Sequence, residues 1–267
     1  MDTKTFQDII YRHFRCNPRP LPWRSTTDPY RIMVSEVMLQ QTQVDRVLPK
    51  YDAFIARFPT VTALAEAPLP DVLALWQGLG YNRRAMLMKR AAEEIVARHG
   101  GIVPSSPADL ARLPGIGKYT AGAIAAFAFG SPTPFIETNI RSVYIHLFCG
   151  DRTGVPDSEI LPLVERTMDR DNIRDWYNAL MDYGVMLKKS MANPSRRSRH
   201  HVRQTPFRGS NREIRGMILK VLLESPGLSA GEIALRIDKD AERVGETLGV
   251  LEREGLVRRR EGVYRAG

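Results

Sequence analysis

The chain has 267 residues, enough for one large domain or two or three modules, and its 39 Lys plus Arg against 30 Asp plus Glu leave a formal charge of +9. Such an excess favours a polyanionic partner. No apolar run approaches the length of a bilayer span, no basic-then-apolar leader opens the chain, and two distant cysteines, Cys16 and Cys149, exclude a disulfide framework or a four-thiolate site. A cytoplasmic protein with reduced thiols is expected, with Cys149 as a small core filler; the charge alone fits either nucleic acid or an acidic membrane surface.

Helical periodicity runs from Thr5 to Tyr183 and strand-like alternation is nearly absent. It predicts helices over 4–14, 30–44, 48–57, 61–67, 70–76, 83–99, 107–112, 118–128, 139–148, 158–169 and 173–187. Thr60 and Ser106, the latter followed by Pro107, are cap candidates. Trp23, Trp76 and Trp176 read as core anchors.

Within this order, Ile32 to Gln43 places Glu36 on a largely apolar helical turn, with Ile32, Met33 and Gln40 one turn away. A carboxyl there is costly unless paired or functional, and desolvation raises its pKa, which suits a proton donor near neutral pH. The bland reading pairs Glu36 with an arginine such as Arg31 or Arg83. Further on, Leu113-Pro114-Gly115-Ile116-Gly117-Lys118-Tyr119-Thr120 precedes a small-residue helix. Glycines at Gly115 and Gly117 permit a tight turn and bare N–H groups, and the helix start adds more, so the segment reads as a phosphate nest. Its main-chain contacts hold a backbone without reading a base. A second carboxylate, Glu137, stands just before a helix that Thr138 or Asn139 is expected to cap. The helix N–H groups and field should keep Glu137 ionised while Glu36 is pushed toward its acid form.

After Lys189 the composition changes. Arg196 to Arg215 holds seven arginines, two histidines and one acidic residue, Glu213, so polyanion contact is the better reading for Arg196, Arg197, Arg199 and Arg203. The pattern then reads helix, a Ser229–Glu232 capping-box helix, a longer helix, and a hairpin turning at Glu261-Gly262. That is the order of a winged helix, with Arg258 and Arg259 as DNA-contact candidates and a boundary near Thr205 to Arg208.

Leu21 to Arg24, Pro29-Tyr30, Ser35 to Val44, Phe58 to Val61, Trp76 to Tyr81 and Leu113 to Ala123 resemble, in order, the signature segments of the helix-hairpin-helix (HhH-GPD) DNA glycosylases. The nearest likeness is to the adenine mismatch (MutY) branch. The resemblance implies an all-α two-lobed fold over 1–190 in a nucleoid-associated protein with no membrane partner; composition and pattern add the arginine-rich linker at 191–209 and the winged helix at 210–267. It implies a flipped base held between the lobes of a monomer bound to duplex DNA with a mispaired or damaged base, and the hairpin residues Gly115, Gly117, Lys118 and Thr120 on a phosphate. Glu36 matches the glutamate that protonates the base. Glu137 matches a position carrying aspartate, which stabilises the oxocarbenium-like sugar and N-caps the next helix. Asn139 matches the following asparagine. Tyr119 falls where the lyase branch has lysine, which argues against Schiff-base chemistry. Gln40, Gln41 and Gln43 resemble the edge that approaches the lesion, Gln41 filling the vacated space.

Three departures qualify the likeness. The cluster cysteines are missing after Tyr183, so no iron–sulphur cofactor is expected, although the family leaves room for a monovalent cation at the hairpin. Glutamate replaces aspartate at Glu137. A winged helix stands where the 8-oxoguanine-recognition domain would be. The expected function is a monofunctional glycosylase acting best on mispaired adenine. Thymine or uracil opposite guanine, or an inactive DNA-binding regulator, are the competing readings.

Overall fold

The structure, a computed structural model, describes residues 1–267, and its regular structure is almost wholly helical. The helices are α1 (Thr3–Cys16), α2 (Pro29–Leu39), α3 (Val44–Arg57), α4 (Val61–Glu66), α5 (Leu69–Trp76), α6 (Arg83–His99), α7 (Pro107–Leu110), α8 (Lys118–Phe129), α9 (Thr138–Phe148), α10 (Asp157–Thr167), α11 (Ile173–Ser190), α12 (Asn211–Glu224), α13 (Ala230–Ile237) and α14 (Ala241–Arg253). The only sheet is the antiparallel hairpin of β1 (Val257–Arg260) and β2 (Val263–Ala266). No helix is long and apolar enough to cross a membrane.

Local chemistry accounts for many boundaries. The Thr60 hydroxyl accepts from Ala63 N and that of Ser106 from Asp109 N, as expected of N-caps. Ser229 and Glu232 complete a capping box at α13. The turn between β1 and β2 puts Glu261 and Gly262 at φ 52° and 81°, the two positive values that a two-residue type I′ hairpin requires.

Where the sequence predicts a helix over 30–44, the helix ends early. It stops at Leu39, Gln41 takes φ 55°, and α3 begins at Val44. Periodicity misses this break because the agent is remote in sequence. The Arg84 guanidinium takes the carbonyls of Val37 (2.7 Å), Met38 (3.0 Å) and Gln40 (2.5 Å) and the Thr42 hydroxyl (2.9 Å). Those bonds satisfy the orphan carbonyls at the end of α2. The same guanidinium reaches the Leu79 and Gly80 carbonyls and lies over the Trp76 and Tyr81 rings.

The chain divides into two compact units. One comprises Met1–Glu36, Pro104–Arg112 and Ile116–Arg203; the other comprises Val37–Val103, Leu113–Gly115 and Gln204–Gly267. These units cut across the three consecutive segments drawn from composition, because α12 packs on α5. The first unit has an aromatic core in which Phe6 meets Tyr144, Phe148 and Trp176, with Cys149 filling a small place beside it. Trp23 and Trp76 are buried too, as expected.

The Leu21–Arg24 motif is structural. Asp182 on α11 is fully buried at its side chain and binds Arg24 through both oxygens at 2.8 Å and Arg19 at 2.7 Å. Asp182→Ala therefore leaves two guanidinium groups facing a buried, empty site. Equilibrium urea unfolding is expected to show a loss on the order of 3–5 kcal/mol. A change within experimental error would mean that solvent replaces the pair without cost.

Candidate active site

Glu36 lies on α2 and is half-buried, one turn after the buried Ile32 and Met33. Burial first, and the charge of Glu137 second, push its carboxyl up from the ordinary 4.5 to about 8. The bland pairing fails at Arg31, which binds Asp28 at 3.6 Å instead. At neutral pH Glu36 holds its proton.

Glu137, not Thr138 or Asn139, is the N-cap of α9. Its Oε1 accepts from Ile140 N at 2.8 Å and its Oε2 from Asn139 Nδ2 at 3.1 Å. Its backbone is extended, at φ −114° and ψ 178°, as at the caps Asp2, Thr60 and Ser229. The expectation that the helix start simply holds this carboxyl low is corrected: burial raises it above the ordinary glutamate value, opposed by Lys188, by the N–H groups of Ile140 and Asn139, and by Arg141. Within the pair the contrast survives. Lys188, Arg141 and two N–H groups favour the charged form of Glu137, whereas burial and the Glu137 charge both hold Glu36 in its acid form.

Two residues of α11 that sequence reasoning did not select complete this arrangement. Lys188 Nζ donates to Asn139 Oδ1 at 2.7 Å, which orients the amide to donate to Glu137. One turn earlier, a Cβ on Gly184 would come within 2.4 Å of the Asn139 carbonyl oxygen, so only glycine lets α11 approach the start of α9. A glycine inside a helix with lysine four residues on was the available signal.

Tyr119 is exposed in the first turn of α8, and its neighbour Arg141 is held by Asp157 through two bonds of 2.7 Å. At the hairpin the two glycines differ. Gly115 takes φ 78°, and a Cβ there would meet Leu87 at 2.8 Å. Gly117 is extended at φ −81°, a conformation open to any residue, so the tight-turn argument applies to Gly115 alone. Gly117 instead serves as an N-cap without a side chain, leaving main-chain N–H groups at the start of α8 beside the exposed Lys118 and the half-buried Thr120.

Gln40 and the exposed Gln41 stand in the break after α2, and exposed Gln43 is the N-cap position of α3. Arg196, Arg199 and Arg203 are exposed, whereas Arg197 is occupied: it donates to the carbonyls of Gly150 and Ile145 at the C-terminal end of α9. That segment is fastened rather than loose, since Val155 and Ser198 form a parallel bridge and Asn193 bonds Ser142. Arg258 and Arg259 are exposed on β1, with Arg259 over the Tyr264 ring.

A protonated carboxyl can protonate a leaving group while a carboxylate held in its charged form stabilises a developing cation, which is the chemistry of glycosidic-bond cleavage. Residues 34–161 match the family model for the HhH-GPD superfamily base excision DNA repair protein. The chain is 34% identical over 234 residues to the adenine DNA glycosylase of Mycolicibacterium smegmatis, covering 80% of this chain and 78% of that protein. It is 42% identical over 194 residues to that of Buchnera aphidicola subsp. Baizongia pistaciae, covering 70% of this chain but only 54% of that relative. Among solved structures, a thermostable thymine-DNA glycosylase matches with TM-score 0.65 at 26% identity, over 72% of this chain and 90% of its own. The chain belongs to the HhH-GPD superfamily.

The iron–sulphur cluster typical of that superfamily needs four thiolates. The chain offers an exposed Cys16 and a buried Cys149, and no group of three or more His, Cys, Asp or Glu side chains that could hold a metal. The residues present do not fit the group.

Proposed function

We propose that this protein is a monofunctional DNA glycosylase that hydrolyses the N-glycosidic bond of adenine mispaired in duplex DNA. The observation that carries this reading is the contrast between two carboxyls: Glu36, lifted to about 8 by burial and the Glu137 charge, and Glu137, whose charged form is met by Ile140 N, Asn139 Nδ2 and the Lys188 charge. Glu36 gives its proton to the departing adenine, and the ionised Glu137 offsets the positive charge that grows on the sugar. Water then adds to the sugar and its proton returns to Glu36, leaving free adenine and an abasic site. Tyr119 offers no amine for imine formation. The chain is proposed to work as a monomer and without a cluster, the bonded segment after α11 taking that place in the fold.

The test is excision on duplexes carrying A:8-oxoguanine, A:G, T:G, U:G, hypoxanthine and oxidised pyrimidines. Adenine release is expected, with strand cleavage only after alkali. The likeness to the thymine enzyme is what makes the T:G arm informative, and release of thymine alone would move the assignment to that branch. Borohydride trapping of a covalent DNA complex would contradict the monofunctional reading.

The exposed arginines give a separate expectation. Changing Arg196, Arg199 and Arg203 together to Ala should weaken binding to all duplexes alike and reduce the slope of log affinity against log salt by up to ~0.9 per lost phosphate contact. Arg197 is left out because its bonds are internal. An unchanged slope on folded protein would make these arginines solvated surface.

A further inference from the structure

The C-terminal elements share a compact unit with the two loops that carry Gln41 and Tyr81, and side chains join them. Gln204 Nε2 donates to Gln41 Oε1 at 2.9 Å. Arg212, in the first turn of α12, donates through Nη1 to the Tyr81 hydroxyl at 3.1 Å and to Gln204 Oε1 at 3.2 Å. Its guanidinium also lies 5.9 Å from the Tyr81 ring centroid, and its Nη2 is held by the Thr205 carbonyl at 2.6 Å. Gln41, Gln204, Arg212 and Tyr81 thus form one unbroken line of polar contacts across both loops.

The two loop residues share an unusual backbone. Gln41 takes φ 55° and Tyr81 φ 49°, the left-handed region that side-chain-bearing residues seldom occupy. Both side chains are exposed, Tyr81 by 38%. Arg84 holds the backbone of both loops, through the Gln40 and Gly80 carbonyls. Gln204 and Arg212 hold the side-chain tips. An exposed glutamine and tyrosine would otherwise lose rotamer freedom on entering DNA, and fixing them beforehand removes that cost from binding. Both terminal nitrogens of Arg212 are engaged by protein acceptors, unlike an arginine presenting its fork to a phosphate.

We propose that Gln204 and Arg212 are specificity-determining positioning residues, through which the C-terminal module presets Gln41 and Tyr81 as one rigid edge for recognising a mispaired site in duplex DNA. This deepens the functional reading above and rests on it. It gives α12 a role that neither a free-standing DNA-binding module nor a packing module has: the module completes lesion recognition from within the same compact unit.

A double-mutant cycle on the full chain tests this, with binding measured on a duplex carrying a central A:G mismatch and on its fully paired counterpart. Arg212→Ala is expected to lower the mismatch-to-paired affinity ratio ~5–10-fold while paired binding stays within about two-fold, and to add little in a Tyr81→Ala background. Gln204→Ala should do the same against Gln41→Ala, and serves where Arg212→Ala does not fold. Arg212→Lys keeps the charge but lacks the planar fork, so it should not rescue the ratio. Equal loss on both duplexes with rescue by lysine would identify a phosphate contact and overturn the proposal, as would additive effects in both cycles. Adenine excision by the parent is scored alongside. A parent that excises adenine while Arg212→Ala keeps the parental ratio overturns the positioning role alone. A parent that excises adenine from no mismatch overturns the functional reading, and the proposal with it.

Discussion

Glu36→Gln is expected to bind mismatched duplex within a few-fold of the parent and to release base at least ~100-fold more slowly in single turnover, as when a general acid is removed. The amide keeps the size of the side chain but carries no transferable proton. The pH profile separates this from a packing defect. The parent needs Glu36 protonated, so its rate should fall tenfold per pH unit once pH rises beyond about 8. The residual rate of the variant should lack that limb. Stability should move the other way. The folded-state pKa of Glu36 lies above the ordinary 4.5, so its contribution to stability is whole below that value and is lost as pH rises toward about 8. At pH 7 most of that loss has occurred, and Glu36→Gln should raise the melting temperature there but not at pH 4. A variant that melts lower at pH 7, or retains the alkaline limb, would assign the proton to another group.

The contrast between Glu36 and its surroundings shows which parts of the site were legible in sequence. A carboxyl on an apolar helical turn is readable because its cost is local, arising from neighbours three and four residues away. So are the caps at Thr60, Ser106 and Ser229 and the hairpin at Glu261-Gly262, where each bond closes within a few residues. What sequence did not reveal depends on remote partners. The break after Leu39 is made by Arg84, more than forty residues later. The orientation of Asn139 depends on Lys188 and on the absence of a side chain at Gly184. Arg197 looks like its neighbours in composition, and only the Gly150 and Ile145 carbonyls distinguish it from a DNA-facing arginine. Short side chains are the usual caps, which points to Thr138 or Asn139 at the start of α9, whereas the resemblance points to Glu137, and Glu137 holds that place.

That cap sets up the second large effect. Glu137→Gln can still offer its side-chain oxygen to Ile140 N, so α9 keeps its start while the negative charge is lost. If that charge stabilises the sugar cation, base release should fall by ~100-fold or more, the scale of removing a preorganised electrostatic partner. Glu137→Asn, which also shortens the side chain, should be at least as slow. Glu137→Asp should retain much of the parental rate, since the carboxylate moves by about one methylene and aspartate is the better cap. Lys188→Met provides the discriminating measurement. Lys188 opposes the burial that raises the Glu137 carboxyl, so removing its charge lifts that carboxyl further. Glu137 must be ionised to act, and the acid limb of the pH–rate profile should therefore move to higher pH while the alkaline limb set by Glu36 stays near its place. A Glu137→Gln enzyme as fast as the parent, or an acid limb that does not move in Lys188→Met, would leave Glu137 as a helix cap and place the cation-stabilising charge elsewhere.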